Sequence, residues 1–92
     1  MRVERIDFPR NASAVFIRND SDKPWNALRV VLNGIWAYER PRLDPRDNVI
    51  VRVDRFAIQD KQTGKLTFPP AETAAHHLRI ECDRGNYESD LK

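Results

Sequence analysis

The pair Asn33-Gly34 constrains this chain more than any other feature. It separates two runs in which apolar residues recur at every second position, Leu28, Val30 and Leu32 before it and Ile35 and Ala37 after it. A type I′ turn needs positive φ at both central residues, which Asn and Gly tolerate, so Asn-Gly between alternating runs predicts a tight β-hairpin. A two-residue turn sets the register: Leu32 faces Ile35, Val31 faces Trp36, Val30 faces Ala37 and Arg29 faces Tyr38. One face then carries Leu28, Val30, Leu32, Ile35 and Ala37. The other carries Arg29, Val31, Trp36 and Tyr38.

The same period of two recurs along the chain and marks half-buried strands. Val3 to Phe8 is apolar at 3, 6 and 8, a parity slip that predicts a bulge or an irregular edge strand before Pro9 ends the run. Ala14 to Arg18 is a compact core strand between Asn11 and Asn19-Asp20-Ser21-Asp22. Pro41 and Pro45 mark a linker. Val49, Val51 and Val53 then share one side against Ile50 and Arg52, and Phe56 falls out of parity, so a bend is expected near Asp54-Arg55. Asp60 to Lys65 is a polar turn, Leu66 to Phe68 a short strand stopped by Pro69-Pro70, and Ala71 to His77 is long enough for one helical turn only. Leu78, Ile80 and Cys82 alternate as a final strand, and the polar residues 84–92 are expected to fray.

Ninety-two residues at 40% hydrophobic and 33% charged is the size and character of one folded domain, spanning 1–92 with its core over about 3–83. Short strands bounded by six prolines, without a long helix, predict an all-β fold: a single antiparallel sandwich of about seven short strands. No apolar run has the length of a membrane span. One cysteine, Cys82, excludes an intrachain disulfide and a cysteine-based zinc cluster. A chain that starts natively at Met1 is expected in the cytoplasm; one trimmed from a longer product is expected outside it.

The order of these elements resembles small immunoglobulin-like or fibronectin-type-III-like bacterial domains. The resemblance rests on the strand ending in Ile17-Arg18-Asn19-Asp20-Ser21, on Trp25, and on Leu32-Asn33-Gly34. It continues through Leu43-Asp44-Pro45, Val49–Val53, Phe56, the Gly64 to Pro69 turn and the Leu78–Cys82 strand. It covers roughly residues 13 to 83 and lacks the cysteine pair of antibody domains. It implies an immunoglobulin-like sandwich serving as an adhesive, spacer or partner-binding module, often outside the cytoplasm.

No catalytic constellation emerges. His76-His77 are adjacent, so on an extended strand they point to opposite sides and do not chelate one ion. Cys82 shares parity with Leu78 and Ile80 and belongs to the core as a small hydrophobe. Ser13, Ser21 and Ser89 lack a nucleophile-elbow context, and Thr63-Gly64-Lys65 lacks the first glycine of a phosphate loop. Asn11-Ala12-Ser13 and Asn19-Asp20-Ser21 match the glycosylation pattern but read first as turns. Sixteen basic against fourteen acidic side chains give +2, without the dense basic stripe of a nucleic-acid binder.

The remaining candidate is a surface. With Leu28/Val30/Leu32, Val49/Val51/Val53 and Leu78/Ile80/Cys82 inward, Arg29, Arg52 and Arg79 face outward beside Trp36 and Tyr38. Arginine and aromatic rings are the types enriched at interface hot spots, and they also stack on sugars. The expectation is therefore a non-enzymatic protein-interaction or structural module of a larger envelope or surface assembly, with no cofactor and no metal. Its partner is another protein, with a glycan or small ligand as the alternative occupant of the platform Arg29, Trp36, Tyr38, Arg52 and Arg79.

Overall fold

The computed structural model describes residues 2–8, 12–70 and 73–91, with side chains for 3–4, 14–70 and 73–91. Nine strands occur among them, all paired antiparallel. They are β1 (Arg2–Phe8), β2 (Ala12–Arg18), β3 (Trp25–Leu32), β4 (Trp36–Leu43), β5 (Asn48–Arg52), β6 (Ile58–Gln59), β7 (Leu66–Thr67), β8 (His77–Cys82) and β9 (Gly85–Asp90). One sheet has the order β1-β2-β5, a second the order β4-β3-β8-β9, and β6 and β7 form a separate two-stranded hairpin.

The two larger sheets share one hydrophobic core. Val15, Ile17 and Val51 enter it from the first sheet, and Leu28, Val30, Leu32, Leu78 and Ile80 from the second. The molecule measures 36 × 35 × 17 Å. Val53–Arg55 forms a single 3-10 turn after β5, which turns the chain and drops Phe56 into the core with no exposed surface. That is the bend expected from the parity break at Phe56.

The hairpin of β3 and β4 departs from its expected register. Asn33 and Gly34 both have positive φ (53° and 71°), and the Ile35 N–H donates to the Leu32 carbonyl at 3.0 Å, as a type I′ turn requires. Ile35, however, is extruded as an extra residue, so that Leu32 pairs with Trp36, Val31 with Ala37, Val30 with Tyr38 and Arg29 with Glu39. Because side chains alternate, this slip of one moves every β4 side chain to the opposite face. Ile35 is left 52% exposed, whereas Trp36 and Tyr38 pack against the core. Burying two large rings in place of one isoleucine and one alanine removes more apolar surface from water, which favours the longer loop.

Three further expectations change. The β1–β2 ladder runs from Arg2↔Arg18 to Phe8↔Ala12 without interruption, so the first strand has no bulge, and β1 lies at the edge of its sheet. The segment after Cys82 does not fray: β9 pairs with β8 along its full length, and Leu91 beyond it is buried. Tyr87 and Leu91 supply the apolar contacts that a glance at this polar stretch undervalues. Thr73 to His76 is irregular chain rather than a helical turn, and Ala71-Glu72 lie outside the described residues.

Candidate functional site

The second sheet turns outward a face of alternating charge. Arg29 stands between Glu39 on β4 and Glu81 on β8, and Arg79 stands between Val31 on β3 and Glu88 on β9. At the end of β8, His77 lies opposite Asp90; its Nδ1 is 2.8 Å from the Asp90 carboxylate and its Nε2 3.5 Å from that of Glu88. The hydrogen bond to Asp90 raises the His77 pKa above its ordinary 6.5, partial burial opposes the rise, and Glu88 adds to it. Opposite charges placed side by side across strands stabilise a solvated sheet face and leave its arginines compensated.

Of the five residues expected to form one platform, Arg29 and Arg79 do share this outward face. Trp36 and Tyr38 do not reach it, since both face the core side; the Tyr38 ring lies 5.9 Å from that of Phe56. Arg52 belongs to the other sheet, where its guanidinium pairs with Asp54 at 2.8 Å. The common arginine–aromatic surface is therefore not assembled, because the one-residue hairpin slip inverts its aromatic half.

The slip exposes something else. Beside the β4 edge lies an open groove of roughly 890 Å³ lined by Arg29, Ile35, Ala37, Glu39, Ile58 and Leu66 among others. Its floor is the outward side of β3 and β4, and its wall is the β6–β7 hairpin. A two-way backbone bridge between Ala37 and Ala57, with both N···O distances 2.9 Å, fastens that wall to β4. Beyond the bridge every residue from Ile58 to Phe68 is exposed. Ile35, Ile58, Leu66 and Phe68 are each about half exposed, and among the other large apolar side chains described only Ile50 matches them.

Local hydrogen bonds shape this arm. Asp60 accepts from the Gln62 N–H at 2.8 Å, its own N–H donates to the Lys65 carbonyl at 2.9 Å, and the Gly64 N–H donates to the Asp60 carbonyl at 2.8 Å. Gly64 has a φ of +74°, which its lack of a side chain permits at the tip. Arg55, Lys61, Glu39 and Asp60 rim the groove with mixed charge.

A second concavity, of about 440 Å³, lies between Asp20–Lys23 and Arg84/Tyr87. Its base is the Trp25–Tyr87 stack, with centroids 5.6 Å apart and planes at 23°. Trp25 is only 2% exposed, so it offers no free ring face. The stack exists because Ala27 takes a φ of 51°, which reverses the side-chain parity of β3 and turns Trp25 inward under Tyr87. Asp83 holds this kink: its carboxylate accepts from the Asn26 N–H and Nδ2, both at 2.9 Å, which keeps its pKa below the ordinary 3.8.

Among the described residues no three His, Cys, Asp or Glu side chains come together as a possible metal site. Cys82 is half-buried, its Sγ 3.6 Å from the Gly85 carbonyl. Asn19 is fully buried with its amide engaged, so the Asn19-Asp20-Ser21 triplet presents no free acceptor; Asn11 lies outside the described residues. No helix of the described residues is long and apolar enough to cross a membrane. Comparison of the chain with protein-family models, with characterised proteins and with solved structures finds no match.

Proposed function

We propose that this protein is a non-enzymatic binding module whose partner is another protein, seated in the groove between the β3–β4 face and the β6–β7 arm. The observation that carries the reading is the arm itself. An isolated two-stranded hairpin is marginal in water, and this one leaves Ile58, Leu66 and Phe68 exposed, with the Ala37–Ala57 bridge at its base. Ile58 and Leu66 line the groove with Ile35 of the facing hairpin under a mixed-charge rim, and apolar residues within a polar rim are the anatomy of a protein interface. A partner chain inserting apolar side chains there removes that surface from water and orders the arm.

The immunoglobulin-like or fibronectin-type-III-like reading of the fold belongs to the same proposal. Setting the short arm aside, seven strands divide three and four, with the first, second and fifth in one sheet and the remaining four in the other. That division, around one core, supports a Greek-key sandwich of the adhesive or spacer type. Participation in a larger envelope or surface assembly follows from that likeness alone. The alternative occupant, a glycan or small ligand, has less support, because Trp36 and Tyr38 are partly buried against the core.

Paired substitution of the arm tests the reading. Ile58→Glu with Leu66→Glu changes two exposed side chains and is expected to leave thermal unfolding nearly unchanged, within about 0.5 kcal/mol per site. The same variant should lose the partner protein that the wild type retains. Equal retention by both, or by neither, contradicts the groove as the binding face.

A further inference from the structure

Asn33 does more than permit a turn. Its backbone N–H donates to the His77 carbonyl at 2.8 Å, and its side-chain Nδ2 donates to the Ala74 carbonyl at 2.9 Å. Its Oδ1 accepts from the N–H groups of His76 at 2.8 Å and His77 at 3.1 Å. Four hydrogen bonds from one residue thus fasten the irregular segment before β8 to the tip of the β3–β4 hairpin. The two parts are more than 40 positions apart in the chain.

The same residue begins the chain's only Asn-Gly pair. Gly34 is exposed, and apart from its chain neighbours no atom lies within 4 Å of the place its side chain would occupy. With no side chain on residue 34, glycine allows the close approach of its backbone nitrogen to the Asn33 side chain that a larger residue would block. We propose that Asn33 is a site of spontaneous deamidation, at which loss of the amide unfastens residues 74–77 from the hairpin tip.

The chemistry needs only water. The Gly34 nitrogen, losing its proton, bonds to Cγ of Asn33; the Cγ–Nδ2 bond breaks and ammonia departs with the proton. Water then opens the resulting succinimide. Opening at Cγ restores the normal backbone with aspartate at 33, and opening at the main-chain carbonyl leaves an isoaspartyl linkage. No oxidant or reductant takes part. The aspartyl product keeps both acceptor contacts but sets a carboxylate oxygen where Nδ2 faced the Ala74 carbonyl, two acceptors at hydrogen-bond distance. The isoaspartyl product adds a carbon to the backbone of the tight turn and displaces the whole side chain, so all three of its hydrogen bonds go. In the intact fold those bonds must open before the nitrogen attacks, so reaction proceeds through local opening of the tip.

The test is incubation of the whole protein in mildly alkaline buffer, followed by tryptic mapping and amide hydrogen exchange. The tryptic peptide Val30–Arg42 contains no other Asn or Gln, so a mass gain of –OH over –NH2 in it reports Asn33 alone. Expected are conversion at Asn33, at least about tenfold slower than in the synthetic peptide of the same sequence, and loss of exchange protection at His76 and His77 in the isoaspartyl form. Two results overturn the proposal. One is no mass gain in Val30–Arg42 while the synthetic peptide converts fully. The other is conversion that leaves protection at His76 and His77 unchanged.

Discussion

Asn19 looks from the sequence like one polar turn residue among several, yet it has no exposed surface at all. Its Nδ2 donates to the carbonyls of Lys23 at 2.8 Å and Leu43 at 3.1 Å, and its Oδ1 accepts from the Ser21 N–H at 3.0 Å and hydroxyl at 2.6 Å. Its main chain also ties the turn after β2 to the one before β5, through the Asp47 carbonyl and the Arg46 N–H. Asn19→Ala strips the buried Leu43 carbonyl of its donor, which costs about 2–3 kcal/mol and lowers the melting temperature by roughly 10–15 °C. Thermal unfolding followed by circular dichroism checks this; a change below about 0.5 kcal/mol would mean that water replaces the amide without loss. His77 makes a different kind of prediction. Its pKa is raised in the folded state by Asp90, so its contribution is fully present below the unfolded value of 6.5 and is lost as pH rises through the higher folded value. The stability difference between wild type and Asp90→Asn should therefore shrink across that window. A difference that is flat with pH would show that the imidazole is not paired as an ion.

At the scale of elements, the β3–β4 hairpin separates what a sequence encodes locally from what packing decides. The Asn33-Gly34 turn, the inward triplet Leu28, Val30 and Leu32, and the alternation of Val49, Val51 and Val53 were all readable, because each depends on period or on local backbone sterics. The register was not, because nothing local distinguishes a two-residue loop from one that extrudes Ile35. That choice is made by the core, which takes Trp36 and Tyr38. Substitution distinguishes the two arrangements. Ile35→Thr should be nearly silent, within about 0.5 kcal/mol. Trp36→Ala should cost about 2 kcal/mol, less than for a fully buried ring because Trp36 is only partly buried. The reverse ranking in equilibrium denaturation would restore the two-residue register. Strand β9 was hidden for a similar reason: its sequence, Gly-Asn-Tyr-Glu-Ser-Asp, looks like a tail until Tyr87 meets Trp25 and Asp90 meets His77 across the structure.

For the molecule as a whole, the two sheets and their core account for a stable domain, and the β6–β7 arm is the part they do not require. The platform anticipated from Arg29, Trp36, Tyr38, Arg52 and Arg79 drew on residue types common at interfaces, but no sequence rule placed Arg52 in a different sheet or turned the rings inward. The groove could not be read from the sequence either, since it depends on the extruded Ile35 lining the same cleft as Ile58 and Leu66, more than 20 positions away in the chain. A weak signal existed in the apolar pair Leu66 and Phe68 set within a polar stretch. In the free protein, amides from Asp60 to Thr67 should exchange far faster than those of Val30 and Ile80, because the arm has few buried contacts to hold it closed.

The central claim is that this arm and the hairpin face opposite it receive a partner protein. Its most direct test is site-specific photo-crosslinking, with the reactive side chain placed in turn at Leu66, Ile58, Arg52 and Tyr87. One and the same partner should be captured from Leu66 and Ile58, and none from Arg52 on the opposite sheet or from Tyr87 at the far edge. Capture from Arg52 or Tyr87 with none from the arm would contradict it and move the binding face elsewhere.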